Sequence, residues 1–385
     1  MRRNTRFLLI PLAVAVLFAI PAPLSACTFC AGGLTSRLTL REHFHDSKIV
    51  VQGKLKNPRF DPSGVGGTTE LHLEHTLKTD PALGNGGILV LPRYLPVIGD
   101  TPADFLVFGS FVNGKFDPVH GTPASAGVAE YLKAAAKLPQ DDPVRRLTFY
   151  FGYLDAADPA VSSDAFLEFA KAPDTEILKA KAALAPTKLR KLLQDPNTPA
   201  DRLGVFALML GLCGEPTDAK LFADWIGGPS PIPERFASNL GGLLAGYSLL
   251  DSKLGWLATE AILADGKRPF NERLAAIGTL RFFQATRPES KPAVLSCYRS
   301  IIQQGELADL AIDDLRRWKW WDLTTEILAK YEGNPPPPAV VRRGVIRYAL
   351  TCPGDDTKRF LVVARGKEPK IVEDIEETLR LFGDK

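Results

Sequence analysis

Net charge and cysteine are both scarce in this chain. Residues 1–26 hold three arginines and no acid, so the remaining 44 basic and 44 acidic residues leave the rest of the chain formally neutral. A neutral chain lacks the positive field that neutralises phosphates, which argues against nucleic acid as a partner. Five cysteines in 385 residues are also too few for a disulfide scaffold.

Recognisable catalytic motifs are missing from the sequence as well. It contains no obvious carboxylate pair and no Gly-x-Ser-x-Gly, and the glycines at residues 64–67 lack the lysine and following helix of a phosphate-binding loop. His72, Glu74 and His75 lie on one predicted strand, where alternation puts His72 and Glu74 on the same face without a third ligand, so a solvated face is expected. We therefore expect a non-enzymatic protein with no catalytic residues.

What the N-terminal segment does carry is an export signal. Arg2, Arg3 and Arg6 precede an apolar run at residues 7–20, and small residues stand before Cys27. A basic start, a short apolar segment and a small-residue cleavage site are the parts of a secretory signal, and the run is too short for a good membrane span. We predict a signal peptide at residues 1–26 and an exported protein of the periplasm or cell envelope.

Cys27 has two competing interpretations. Residues 24–27 (LSAC) fit the bacterial lipobox, in which Cys27 is acylated and anchors the protein to a membrane. Alternatively Cys27 and Cys30 form a Cys-x-x-Cys, which serves as a disulfide, a redox pair or half of a metal site. With His43 and His45 the cysteines would make a Cys2His2 set, so zinc is an alternative cofactor, although His-x-His is shorter than the usual finger spacing. Acylation would consume the Cys27 thiol and exclude these other roles.

Residues 49–119 alternate between apolar and polar positions with the period of β-strands. The alternating segments are residues 49–55, 69–75, 88–91 and 105–109. Asn113 and Gly114 predict a two-residue hairpin turn, because both residues tolerate positive φ. Four or five short strands suit a small closed or half-closed barrel, since closure hides the sheet edges. We predict an OB-like or netrin-like β-barrel domain, opened by the Cys-x-x-Cys, over residues 27–125.

From residue 126 onward the apolar period is 3.6, which indicates helices. Proline after Asp or Thr predicts helix starts at residues 143, 159, 196 and 199. Similar apolar segments recur about every 35 residues, beginning near Arg202, Leu240, Arg273, Leu307 and Arg342. A helix pair cannot bury its apolar face alone, so stacked pairs make a continuous core. We predict a HEAT-like α-solenoid over residues 126–385, and therefore a multidomain α+β protein.

An aromatic and basic cluster lies in the predicted solenoid. It consists of Trp318, Trp320 and Trp321 with Arg316 and Arg317. These side chains suit a groove for a peptide or a glycan, through large apolar area and cation–π contacts. Trp318 and Trp321 also share one helix face, which fits packing between repeat units equally well. We keep the five residues as a candidate partner-binding site.

Several segments, in order, resemble an uncharacterised family of exported proteins from planctomycete-type bacteria. They are residues 27–30, 91–94, 105–108, 164–170, 195–199, 312–318 and 321–324. The resemblance covers nearly all of the chain after the signal and implies an exported protein with a cysteine pair behind the signal peptide. It implies no known activity, and Thr28 stands where proline is usual in the Cys-Pro-Phe-Cys-like opening.

The sequence thus predicts an exported envelope scaffold or adaptor whose solenoid surface binds an unidentified protein partner. One alternative is an envelope thiol-redox or metal-handling protein that uses Cys27 and Cys30. A second alternative is a glycan-binding or cell-wall-binding module that uses the tryptophans. The sequence gives no indication of oligomeric state.

Overall fold

A computed structural model describes residues 27–29, 36–62, 66–97, 104–227, 232–333 and 336–382. The predicted signal peptide and Cys30 lie outside these ranges. A helix and an antiparallel sheet come first, and a long helical region follows, so the chain is α+β. Within the described ranges, we find no helix with the length and apolar character needed to cross a membrane.

The sheet contains the predicted strands. They are β1 (Ile49–Phe60), β2 (Gly67–Lys78), β3 (Ile88–Leu91), β4 (Asp104–Val112) and β5 (Lys115–Pro123), in the spatial order β3-β2-β1-β4-β5. Asn113 and Gly114 connect β4 to β5 with φ values of 51° and 73°. This positive-φ turn confirms the predicted hairpin.

The sheet is open, so the prediction of a closed barrel is wrong. Strands β3 and β5 are its two edges, and over the described residues no ladder of hydrogen bonds joins them. Strand β3 has only four residues, and Pro118 and Pro123 remove backbone donors from β5, so neither edge offers a continuous partner. Short length and proline protect these edges in place of closure.

Both faces of the central strands are buried. Val51 and Val107 belong to a small core on one face of the sheet. On the opposite face, Val50 and Phe108 join the large core of the helical region. The sheet is therefore packed directly on the helices.

The helical elements follow the predicted period. Helix α1 (Leu40–Asp46) precedes the sheet, and the others are α2 (Ala126–Ala135), α3 (Pro143–Tyr153), α4 (Pro159–Lys171), α5 (Asp174–Lys179), α6 (Pro186–Gln194), α7 (Leu203–Cys213), α8 (Ala219–Ile226), α9 (Glu234–Ala237), α10 (Leu240–Leu250), α11 (Ser252–Ala264), α12 (Phe270–Thr286), α13 (Lys291–Gln304), α14 (Ala308–Arg317), α15 (Thr324–Ala329), α16 (Ala339–Thr351), α17 (Asp355–Lys367) and α18 (Pro369–Phe382). Asp142 and Asp158 cap α3 and α4, as the Asp and Pro signals predict. The predicted start at Pro196 is wrong, because Asp195 accepts from the Asn197 N–H within a turn.

Helices at corresponding positions contact one another. Helix α10 packs between α7 and α12, and α14 and α18 both pack on α16. The intervening helices make a second series, in which α11 contacts α13, α13 contacts α15 and α15 contacts α17. The five predicted repeat segments fall in α7, α10, α12, α14 and α16.

Candidate functional site

The first described residues, 27–29, lie against the helical region far along the chain. Cys27 is buried and belongs to the large core. The Thr28 N–H donates to Asp174 Oδ1 at 3.2 Å, and the Thr28 hydroxyl donates to Oδ2 at 2.5 Å. Asp174 is the first residue of α5 and is only 8% exposed. Both oxygens of one buried carboxylate therefore bind one residue of the segment.

Burial raises the pKa of Asp174 because it disfavours the charged form, and hydrogen bonds from Thr28 and from the Cys27 thiol oppose that rise. The Cys27 thiol thus lies at the start of α5, where it donates to a buried carboxylate.

Phe29 occupies a recess over α10 and α12. Its ring centroid lies 5.3 Å from that of Phe282. A Cβ on Gly241 would come within 3.3 Å of the Phe29 ring and 2.6 Å of the Ala275 carbonyl oxygen, and one on Gly278 would come within 4.0 Å of the ring. The missing side chain of Gly241 therefore makes room for the aromatic ring, and Gly278 lies at ordinary contact distance from it.

Two open cavities flank this segment. One of about 630 Å³ lies beside Phe29, and another of about 820 Å³ lies beside Thr28, between α5 and the pair α12 and α14. Arg281 lines both cavities. We call the two cavities with the intervening recess the cleft; its principal residues are Asp174, Gly241, Gly278, Arg281, Arg317 and Trp318.

Paired charges line the α12 and α14 side of the cleft. Arg281 Nε donates to Asp314 Oδ2 at 2.8 Å, and Tyr298 Oη donates to the same oxygen at 2.8 Å. Arg317 Nη2 lies 2.8 Å from Asp313 Oδ2. Arg281 and Arg317 remain 45% and 56% exposed, so both guanidinium groups are accessible to a ligand.

Only part of the predicted aromatic and basic cluster lies in the cleft. Arg317 and Trp318 line it. The Arg316 side chain is 2% exposed and pairs with Asp313. Trp320 and Trp321 are partly buried against the large core.

Contacts with neighbouring rings and with a lysine account for the positions of Trp320 and Trp321. The Trp320 ring lies 5.2 Å from that of Trp318 and 5.1 Å from Lys291 Nζ, and the Trp321 ring lies 5.1 Å from that of Tyr348. These contacts join neighbouring helices. They account for Trp320 and Trp321 by packing, while the role of the cluster in partner binding stays a prediction.

The predicted metal ligands are spread over two places. His43 lies on α1 and stacks on His120 of β5, with centroids 4.1 Å apart and planes 4° apart, whereas His45 is exposed. In the part of the chain that the structure describes, no three His, Cys, Asp or Glu side chains are grouped to hold a metal ion. Cys27 is thus not gathered with His43 and His45, and Cys30 lies outside the described residues.

A polar network that the sequence patterns did not indicate joins α1 to α4. Asp164 accepts from the Leu40 N–H at 2.6 Å and from the Tyr131 hydroxyl at 2.6 Å. Burial raises the pKa of Asp164 to about 7. Next to it, Arg41 binds both carboxylate oxygens of Glu168, at 3.2 and 3.3 Å. A cavity of about 490 Å³ opens over these ion pairs.

Glycines within apolar helical segments, at Gly241, Gly242 and Gly278, were the one sequence signal for the recess, because glycine inside a helix usually has a packing or functional reason. Nothing local in the sequence marks Asp174 as the partner of Thr28, which lies 146 residues away. The chain matches no known family model, and no curated protein shows significant sequence similarity to it.

Proposed function

We propose that this is an exported cell-envelope protein that binds a protein partner in the cleft and catalyses no reaction. One observation carries the proposal: residues 27–29 lie in the cleft in the way that a bound peptide would. A backbone N–H and a hydroxyl bind Asp174, and an aromatic ring fills the recess over Gly241. A surface that holds one peptide segment in this way is chemically suited to hold another.

We further propose that the helical region is a HEAT-like α-solenoid. Two features support this: the period of about 35 residues in the sequence, and the contacts between helices at corresponding positions, such as α7 with α10 and α10 with α12. Solenoids of stacked helix pairs present extended concave surfaces for protein ligands. The composition of the cleft suits this use, because tryptophan and arginine dominate the energetics of protein interfaces.

Location in the envelope is part of the proposal and rests on the signal-like residues 1–26. Anchoring through an acylated Cys27 makes one further demand. Cys27 is 4% exposed, so a lipid on its sulfur requires the residue to leave its buried position. The anchored form would then differ from the described one at residue 27.

The two alternative functions have weaker support. Reactive cysteines are partly exposed, whereas Cys27 is 4% exposed and its thiol donates to Asp174, which disfavours redox chemistry. All three tryptophans are partly buried against the large core, and Trp318 is the one that lines the cavity of about 820 Å³. A sugar-stacking platform needs open aromatic faces, so the glycan-binding alternative is also disfavoured.

Capture of partners from an envelope extract tests the proposed function. Arg317→Glu reverses an exposed charge in the cleft, and Arg359→Glu does the same on α17, where the side chain is 75% exposed. We expect the native protein and Arg359→Glu to retain the same cross-linked partner, and Arg317→Glu to lose it. Reproducible absence of any partner, or equal capture by both variants, would contradict the proposal.

A further inference from the structure

We infer that the cleft recognises an extended peptide in which a serine or threonine precedes an aromatic residue, and that the chain's own Thr28 and Phe29 occupy this site until a partner segment displaces them. The inference rests on the proposed function and specifies the ligand of the same site. Its basis is the fit of residues 27–29 to the cleft.

Asp174 selects the first ligand residue. Its two oxygens accept one bond from a backbone N–H and one from a side-chain hydroxyl of the same residue, Thr28. A residue without the hydroxyl would make only the backbone half of this contact and would remove one donor from the buried carboxylate. Sites that bind a ligand hydroxyl in this way discriminate strongly against analogues that lack it.

The recess over α10 and α12 selects the second ligand residue. The Phe29 ring contacts Phe282, and Gly241 leaves the space that the ring fills. A small side chain would leave this recess empty and would lose the aromatic contact. The adjacent cavity of about 630 Å³ gives additional room, so tyrosine and tryptophan are also acceptable.

The ligand class is a peptide because the cleft continues past both ends of the recess. The cavity of about 820 Å³ beside Thr28 extends to Arg317 and Trp318, which the chain's own segment leaves uncovered. A longer partner segment would cover these residues in addition to the two positions that Thr28 and Phe29 hold. This extra contact is what allows a partner to displace a segment that is covalently attached.

Attachment makes the chain's own segment a strong competitor, because a short tether gives a local concentration in the millimolar range. A fluorescent peptide with the sequence of residues 26–31, carrying alanine for both cysteines so that the threonine supplies the one side-chain hydroxyl, provides the probe. We expect Phe29→Ala, which empties the recess, to bind this probe about tenfold or more tightly than the native protein does. Circular dichroism and a thermal melt establish that the variant is folded.

Two altered probes keep the test independent of the variant's stability. One carries valine in place of threonine and the other alanine in place of phenylalanine; we expect Phe29→Ala to bind both at least about tenfold more weakly than the parent probe. Equal binding of the three probes, or no gain in Phe29→Ala, would overturn the inference. In that case, loss of a captured partner on Arg317→Glu would still support the proposed function. Selective probe binding without any captured partner would support the peptide specificity of the cleft and contradict the proposed function.

Discussion

Thr28 and Asp174 form a two-point clasp in which the N–H and hydroxyl of one residue bind the two oxygens of one buried carboxylate. The clasp ties the first described residues to α5, 146 positions later in the chain. It therefore determines both where the N-terminal segment lies and how the large cavity between α5, α12 and α14 is bounded.

Removal of the Thr28 hydroxyl tests how much this clasp contributes to the free energy of unfolding. Thr28→Val keeps the shape of the side chain and the backbone hydrogen bond but removes the hydroxyl that donates to Asp174 Oδ2. We expect the free energy of unfolding to fall by about 1–3 kcal/mol, because a buried carboxylate loses one of its donors. Thr148→Val, at an exposed threonine on α3, is the matched control and should change stability by less than about 0.5 kcal/mol. Denaturant unfolding of both variants measures the difference, and equal stabilities would show that the clasp contributes nothing.

The recess for Phe29 makes a second quantitative prediction. Gly241→Ala places a Cβ 2.6 Å from the Ala275 carbonyl oxygen and 3.3 Å from the Phe29 ring, so α10 and α12 or the ring must move. We expect a loss of about 1–3 kcal/mol in stability from this overpacking.

Gly366→Ala is the matched control for that substitution. Gly366 lies on α17, is exposed, and has no atom within 4 Å of an added Cβ. There the better helix propensity of alanine should stabilise the protein by about 0.5–1 kcal/mol. Changes of the same sign in the two thermal melts would argue against the close approach at Gly241.

The sequence was sufficient to predict much of the fold because its signals are local. Alternation located the strands, positive-φ tolerance located the turn at Asn113 and Gly114, and the 35-residue recurrence located α7, α10, α12, α14 and α16. These local signals did not show whether the sheet would close into a barrel. Closure requires β3 and β5 to pair, and the short length of β3 and the prolines of β5 prevent this pairing.

The candidate site was less predictable, since it is made by contacts between distant segments. The sequence drew attention to Cys27, Arg317 and Trp318, which the fold brings to the same region. It gave no reason to choose Asp174 among many acidic residues. Burial and the 146-residue separation from Thr28 are properties of the folded chain, and no local spacing encodes them.

The mass of the processed N-terminus tests the predicted export to the cell envelope and the predicted lipid anchor. We expect export to leave Cys27 as the first residue, and anchoring predicts that this residue carries acyl groups. Mass spectrometry of the N-terminal peptide, from protein isolated from the cell envelope, distinguishes an acylated Cys27 from an unmodified one and from an unprocessed chain. An unmodified Cys27 would eliminate the lipid anchor while leaving export intact, and a chain that retains residues 1–26 would contradict export itself.

Asp164 gives a prediction about pH. Its folded pKa of about 7 lies above the usual value of 3.8, so folding favours the protonated carboxyl. The stabilising contribution is complete below the unfolded pKa and is lost as pH rises through about 7. We expect Asp164→Asn to be less sensitive than the native protein to a rise from pH 4 to pH 8; its amide oxygen still accepts from the Leu40 N–H, and its NH2 group can donate to the Tyr131 hydroxyl oxygen. Identical slopes of unfolding free energy against pH would refute this assignment.

The stacked pair of His43 and His120 predicts a change of the opposite sign: this pair makes the unfolding free energy fall as the pH is lowered. Burial lowers the pKa of both imidazoles, and that of His120 falls from 6.5 to about 4 with a further contribution from the charge of His43.

Folding therefore favours the neutral rings, and their contribution is present above the unfolded pKa and is lost as pH falls through about 4. Glu42 and Asp46 favour a charged His43 while Lys171 disfavours it, so these neighbours offset one another in part. We expect His120→Gln to retain more of its stability than the native protein does between pH 6.5 and pH 4. His75→Gln, at an exposed position on β2, should follow the native curve. An unfolding free energy that falls equally in all three proteins would show that the stacked rings are not the acid-sensitive element.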